Sequence, residues 1–442
     1  MKRSITDRLI LWKDDENRKP LLLSGVRQCG KTYVLKEFGE NCFQDYAYLN
    51  FESDDRLKAV FDYDFNVERI LKELSFLCSK RIEPGKTLLI LDEVQECPRA
   101  ITSLKYFCEN TRDLHIICAG SLLGVALARK NISFPVGKVN RMKMYPMSFK
   151  EFLWACGADQ VAGILEDWPT DRPIPEVYSV QLSKLLKEYY SVGGMPEAVA
   201  EWTASHDMQK VEAIQDEILL GYSDYFAKHA PLDQVEKIRW IWSSVPKQLA
   251  KDNNKFVFSH VKEGKRAAEL EDALQWLRDA GLVIQLELVE KPEIPLASMA
   301  DSTYFKVYLS DVGLLRRMSG LSARTIMEED PLFIRFKGAL AENHAVNELT
   351  STGEAIYFWR SGNTAEVDIV MESDGLIIPI EVKSADNTQA KSYRQFCKRY
   401  SPSIGFRLSM KNIGENECEG TRTISLPLWM LWNWGRYKKS WA

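Results

Sequence analysis

Eight consecutive residues, Gly25-Val26-Arg27-Gln28-Cys29-Gly30-Lys31-Thr32, fit the pattern G-x-x-x-x-G-K-[ST] at every defined position. The chemistry this suits is the grip of a polyphosphate. The glycines let successive backbone N–H groups curl around phosphate oxygens, Lys31 brings charge to the β- and γ-phosphates, and the Thr32 hydroxyl offers a ligand to Mg²⁺. With Tyr33, the run from Gly25 is expected to line a bound ATP. A second motif lies about 60 residues further on, Leu88-Leu89-Ile90-Leu91-Asp92-Glu93. It is an apolar strand that ends in two acids. Asp92 suits a place on the Mg²⁺ water shell, and Glu93 suits polarising an attacking water, so hydrolysis is expected beyond binding. A third strand, Ile116 to Ala119, runs into Gly120-Ser121. The Ser121 hydroxyl is a candidate sensor of the γ-phosphate, and a plain turn is the equally weighted alternative.

A different chemistry is written near the C-terminus, in Glu366-Val367-Asp368 and Glu381-Val382-Lys383. Residues two apart share a face of a strand. Asp368 on one strand and Glu381 with Lys383 on the next therefore have the arrangement of a PD-(D/E)-x-K nuclease. There two carboxylates, here Asp368 and Glu381, bind Mg²⁺, and the lysine orients or deprotonates a water. Glu342, on an expected helix from Gly338 to Leu349, resembles the extra helix glutamate of the Holliday-junction resolvases. Between Asn387 and Gly414 no Asp or Glu occurs, while Lys391, Arg394 and Lys398 fall on one helix face opposite Tyr393, Phe396 and Tyr400. Such a row can follow a phosphate backbone, or can be an ordinary solvated face. A salt-bridged surface is likewise the bland reading of the acid–lysine set.

The elements that must position these residues follow from apolar periodicity. Short apolar runs at Leu21–Leu23, Tyr46–Phe51, Leu88–Leu91 and His115–Ala119 alternate with helical stretches, the signature of βαβ units and a parallel sheet. Residues 156–230 read as helical, broken at Gly193-Gly194-Met195-Pro196. Val235–Leu249, Phe258–Val261 and Ala267–Ala280 read as helices, the last capped by Gly281. Strands over Leu282–Val289 and Lys306–Leu309 follow, and the pattern suggests a winged helix. After a polar stretch from Ser319 to Pro331 come a helix, a strand over Ala355–Trp359, a hairpin turning at Ser373-Asp374-Gly375, and a helix over Gln389–Tyr400.

Composition sets bounds. With 442 residues, 45% hydrophobic and 27% charged, the chain is expected to be globular and to hold several domains. A net charge of −4 gives no overall basic field, so any contact with DNA or RNA has to come from a local patch. Nine scattered cysteines without a C-x-x-C pair argue against a zinc ribbon or a disulfide framework and suggest a reducing compartment. Nothing approaches the roughly 18 apolar residues of a membrane span, so a cytoplasmic location is expected and no membrane partner. The C-terminal tryptophans Trp429, Trp432, Trp434 and Trp441 are expected to dock the chain end, and His344 is expected to be a structural helix residue.

Across nearly the whole chain, GVRQCGKT (25–32), LNFE (49–52), LILDEVQ (89–95), CAGS (118–121), FPVGKV (134–139), YPMSFKEFL (145–153), GGMPEAV (193–199) and YLSDVGLL (308–315) resemble uncharacterised prokaryotic AAA+-type ATPases with a C-terminal domain of unknown function. The resemblance implies an α/β fold: a P-loop NTPase core over 1–155, a helical lid over 156–230, a winged-helix-like domain over 231–320 and a PD-(D/E)XK nuclease-like domain over 330–442. It implies ATP and Mg²⁺ as cofactors and self-association through the ATPase domain. Relatives carry an arginine, a candidate finger, where this chain has Lys138; Arg141 is the candidate substitute. Two functions are expected to compete. One is an ATP-driven machine acting on DNA or RNA through the C-terminal domain. The other is an ATP-dependent signalling switch whose C-terminal domain only binds.

Overall fold

A computed structural model describes residues 1–128, 133–251, 255–328, 330, 335–362, 365–384 and 391–441, in two compact units. The first comprises Met1–Pro146 with Trp276–Leu282. Its sheet holds β1 (Leu21–Gly25), β2 (Asp45–Asn50), β3 (Thr87–Asp92), β4 (His115–Gly120) and β5 (Asn140–Met144), all parallel in the order β2-β3-β4-β1-β5. Every residue of β3 and β4 is buried. Helices cover both faces of a central parallel strand, so unbroken apolar runs such as Leu88–Leu91 are what this position needs. The order also puts β4 between the strands that carry the two phosphate motifs, so Ser121 follows from a strand end lying between them. The fifth strand was not anticipated. Asn140-Arg141-Met142-Lys143-Met144 sits at the sheet edge, mostly half-exposed, and lacks the apolar run that marks the others.

The second unit comprises Met147–Gln275 with Val283–Ala442. Its helices include Glu176–Val192, Pro196–Ser205, Met208–His229 and Val235–Leu249. Its sheet holds β6 (Val283–Val289), β7 (Ala300–Leu309), β8 (Ile356–Ser361), β9 (Ala365–Ser373), β10 (Leu376–Val382), β11 (Ile404–Ser409), β12 (Gly414–Cys418) and β13 (Thr421–Pro427), in the order β12-β13-β11-β10-β9-β8-β6-β7. The hairpin β9–β10 turns through Asp374 and Gly375, at φ 51° and 76°. Two central residues with positive φ are what a two-residue hairpin with the right twist demands, and Asp-Gly supplies them at little cost. The β6–β7 pair has a consequence for the site. It is not a separate sheet: β6 runs parallel to β8, with Leu288 beside Phe358 and Val289 beside Trp359. The strands of residues 283–309 and 356–427 are thus one sheet across the polar stretch at 319–331, of which 329 and 331 lie outside the described residues.

Two of the sequence motifs, at 193–199 and 308–315, meet in one buried knot. Asp311 caps the helix Val312–Met318 by accepting from the Leu314 N–H (2.8 Å), and its other oxygen accepts from the Gly194 N–H (2.6 Å). Burial pushes its carboxyl up to about 6 against the pull of those donors. Glycine is required here: a Cβ on Gly313 would stand 2.5 Å from the Gly193 nitrogen. The C-terminal tryptophans Trp429 and Trp434 are fully buried, as expected for docking; the Trp441 side chain lies outside the described residues. His344 is also buried, its Nε2 at 3.2 Å from the Leu428 carbonyl and its ring edge-on to Tyr189 and Tyr190. Burial lowers its pKa to about 4, which keeps it neutral.

Candidate functional site

In the first unit, β1 delivers the chain into the phosphate loop, and the helix Lys31–Cys42 leaves it. Gly30 takes a left-handed conformation (φ 91°) at the helix N-cap, which leaves the first helical N–H groups pointing into the loop. Gly25 is fixed for a different reason: a Cβ there would lie 2.3 Å from the Met144 carbonyl of β5. The Lys31 ammonium is buried and donates to the Gly25 (2.8 Å) and Val26 (2.9 Å) carbonyls. Arg27 is partly buried, Gln28 and Tyr33 are exposed, and Cys29 is fully buried.

The metal residues expected from sequence are in contact. The Thr32 hydroxyl donates to Asp92 Oδ2 at 2.7 Å, and Asp92 is 2% exposed at the end of β3. Glu93 follows in a left-handed conformation (φ 50°), and its N–H returns to Asp92 Oδ1 at 3.0 Å. That turn swings the Glu93 side chain off the strand direction, and the Gln95 amide then holds its Oε2 at 2.6 Å. Thr32, Asp92 and Glu93 thus form one connected set, while Ser121 is buried at the end of the intervening strand.

Sequence reasoning missed four contributors. Tyr48, on β2, donates its hydroxyl to Asp92 Oδ2 at 2.9 Å; burial, with the Asp92 charge adding to it, pushes the phenol up to about 12, so it remains a donor. Gln95 stands in the sequence only as the last residue of LILDEVQ (89–95). Arg3 clamps the loop by donating to the Cys29 (2.7 Å) and Tyr145 (2.6 Å) carbonyls from the short segment before the helix Ile5–Asp14, which has no motif of its own. Gly281, the expected helix cap, does end the helix Ala267–Asp279 at φ 74°, and a Cβ there would lie 3.6 Å from Val26 of the loop. The candidate finger residues are engaged: Lys138 pairs with Glu109 (2.9 Å), and the exposed Arg141 guanidinium lies over the Phe134 ring (4.4 Å). Replacing Lys31 with alanine removes the loop's charged donor. Mg·ATP affinity is expected to fall about 10–100-fold, the worth of a charged hydrogen bond. Calorimetry giving wild-type affinity would refute the assignment.

In the second unit, β9, β10 and the helix Arg335–Ser351 bring Asp368, Glu381, Lys383 and Glu342 together. Asp368 Oδ2 accepts from the Val382 N–H at 2.8 Å. Glu381 is 3% exposed; its Oε1 holds Lys383 Nζ at 2.6 Å, while its Oε2 is buried with no hydrogen-bond partner among the described residues. Burial and the facing Glu381 carboxylate hold the Asp368 carboxyl well above its ordinary range, and burial also raises Glu381. Burial works against the Lys383 charge, but Glu381 and Asp368 outweigh it and raise that pKa. Two members were not foreseen, and both come from β7. Lys306 is fully buried and pairs with Glu342 (2.8 Å) and Glu366 (2.6 Å), and the Tyr308 hydroxyl donates to the same Glu342 oxygen. Alternation along β7 puts both on one face, a signal that was available but pointed nowhere without the pairing of β6 with β8. On the helix Lys391–Tyr400, Tyr393 and Phe396 are buried and Lys391, Arg394 and Lys398 exposed, as the periodicity predicts. Among the described residues no group of three or more His, Cys, Asp and Glu stands ready as a metal cage, and no helix is long and apolar enough to cross a membrane.

The first unit's parallel sheet, phosphate loop and acid-tipped β3 are those of a P-loop nucleotide-binding domain. The family comparisons agree: residues 17–153 match the AAA domain family, residues 183–325 match a domain of unknown function (DUF8612), and residues 337–429 match another (DUF4143). The chain is 27% identical over 201 residues to an uncharacterized protein of Haemophilus influenzae, covering 43% of this chain and 42% of that one. It is 31% identical over 80 residues to an uncharacterized protein of Mycobacterium tuberculosis, covering 18% and 17%. The aligned segments thus span less than half the length of these relatives. A Walker-type ATPase of Pyrococcus abyssi matches in structure at 13% identity and a TM-score of 0.44, over 72% of this chain and 95% of that one.

Proposed function

We propose that this protein is an AAA-type ATPase that hydrolyses Mg·ATP in its first unit and acts on nucleic acid through a PD-(D/E)XK-like centre in its second. The phosphate-loop residues fit the nucleotide: amides and Lys31 for the phosphates, and Thr32 with Asp92 for Mg²⁺. Glu93 would orient the water. The bridge between Lys255 and Lys306, with β6 and β7 and the preceding helices, supports a winged helix within 231–320.

One observation carries the nucleic-acid reading. The chain from Arg335 to Ser409 runs helix, three strands, helix, strand, and this order gathers Asp368, Glu381 and Lys383 around a buried carboxylate oxygen, Glu381 Oε2, that has no partner among the described residues. An orphaned buried oxygen beside a second, like-charged carboxylate is a donor set that suits a divalent cation. Asp368 and Glu381 would hold it, and the cation would supply charge to a phosphodiester there. Lys383 pairs with Glu381 and would orient a water. The exposed row Lys391, Arg394 and Lys398 would follow the backbone.

Incubation with plasmid, branched DNA and RNA in Mg²⁺ or Mn²⁺ tests this. Cleavage is expected, and Asp368→Ala or Lys383→Ala is expected to reduce it by about 100-fold or more. Cleavage unchanged in both variants would trace it to a contaminant. Binding of no nucleic acid at low salt would favour the second reading, an ATP-dependent switch with a C-terminal module that binds only. The pairing of Lys138, in the expected finger position, with Glu109 favours that reading, because ring ATPases draw on a trans arginine.

A further inference from the structure

Lys306 is an unusual occupant of a carboxylate cluster. It is fully buried, comes from β7 outside the 337–429 segment, and lies between two acids that belong to different elements, Glu342 of the helix and Glu366 of β9. A buried ammonium persists only when paired, and at 2.8 and 2.6 Å these are charge-assisted hydrogen bonds of full strength. The Phe358 ring stands 5.0 Å from Nζ and closes another side. The Tyr308 hydroxyl shares the Glu342 oxygen, so that oxygen already serves two donors.

The carboxylates therefore divide into two sets. Glu342 and Glu366 are satisfied by the protein's own cation. Asp368 and Glu381 hold no such cation between them: Asp368 Oδ2 accepts only a backbone N–H, from Val382, and among the described residues Glu381 Oε2 has no partner while Lys383 serves the other oxygen. With all groups ionised, the four acids and two lysines leave two negative charges, which one divalent ion neutralises. Two-metal phosphodiester centres set their ions about 3.5–4 Å apart, and the second ion needs carboxylate oxygens free to hold it. Here the second position is chemically filled.

We propose that the Lys306 ammonium takes the place of a second divalent cation, so that the C-terminal centre is a one-metal site holding Mg²⁺ or Mn²⁺ between Asp368 and Glu381. The proposal rests on the PD-(D/E)XK-like reading and fixes its metal count. Lys306 acts as a positioning residue: it fixes Glu342 and Glu366 and withholds both from the metal.

The test is Mn²⁺ stoichiometry, read by electron paramagnetic resonance on the intact chain without nucleotide, in an Asp92→Asn background that silences the ATPase end. One bound Mn²⁺ is expected, and it is lost with Asp368→Asn or Glu381→Gln. Glu342→Gln is expected to leave that count at one. Lys306→Met is expected to raise it to two, with the added ion lost when Glu342→Gln is combined, and Lys306→Arg is expected to restore one. Two ions in the protein with Lys306 present overturn the proposal, as does loss of the single ion on Glu342→Gln alone. A folded Lys306→Met variant that still binds one also overturns it. Where that variant does not fold, the other two measurements decide. No bound Mn²⁺ with Lys306 present overturns both the proposal and the metal reading beneath it, whereas one ion in both proteins overturns the proposal alone.

Discussion

Replacing Glu93 with glutamine is expected to slow ATP hydrolysis by about 100- to 10,000-fold while leaving nucleotide affinity close to wild type, the range for losing a general base. The geometry separates the two effects. Binding groups lie in the loop and at the Thr32–Asp92 contact, and Glu93 takes no part in that contact. The amide keeps an oxygen acceptor for Gln95, which holds the side chain at 2.6 Å, so the substitution removes basicity and spares the local structure. Phosphate release and nucleotide titration on the same preparation check it. Wild-type turnover in the variant would move the base elsewhere. Lost affinity with unchanged turnover per bound nucleotide would make Glu93 a binding residue.

The second large effect is on stability. Asp311→Ala strips an acceptor from two buried N–H groups, those of Gly194 and Leu314, and removes a helix cap. At about 1–3 kcal/mol for each stranded donor, the loss is expected to be roughly 2–6 kcal/mol. Asparagine is not expected to rescue it. Each carboxylate oxygen serves a different donor, and an amide would present N–H₂ to one of them. The pH dependence provides a control. Because the folded carboxyl sits near 6, above its unfolded value, the stability linked to its protonation is present at low pH and is lost as pH rises through about 6. The gap between wild type and Asp311→Ala is therefore expected to widen from pH 7 to pH 5 in denaturant titrations. A variant as stable as wild type at both values would remove the knot from the second unit's stability.

How much was legible in the sequence depended on the range of each signal. The phosphate loop and the acid-tipped strand declare themselves within eight and six residues, and the structure places Thr32 on Asp92. The hairpin turn at Asp374-Gly375 was legible for the same reason, since two positive φ angles narrow the choice of residues. What stayed hidden was whatever depended on distant pairing. β5 is a polar edge strand, and its apolar content is no guide. Arg3 reaches two carbonyls from the segment ahead of the first helix, 26 residues before Cys29. Lys306 reads in sequence as an ordinary strand lysine; only the parallel pairing of β6 with β8 carries it and Tyr308 into the acid cluster.

The joining of β6 to β8 also bears on how the protein can be cut. A fragment beginning near residue 337 would lose both neighbours on that side and bare the backbone N–H and C=O groups of β8, with Phe358 and Trp359 no longer beside Leu288 and Val289. An uncovered, apolar strand margin is a template for stacking with other chains. Such a fragment is therefore fated to self-associate rather than to report the behaviour of the C-terminal centre. Proteolytic nicking between β7 and the following helix, with both pieces retained, would leave that margin covered.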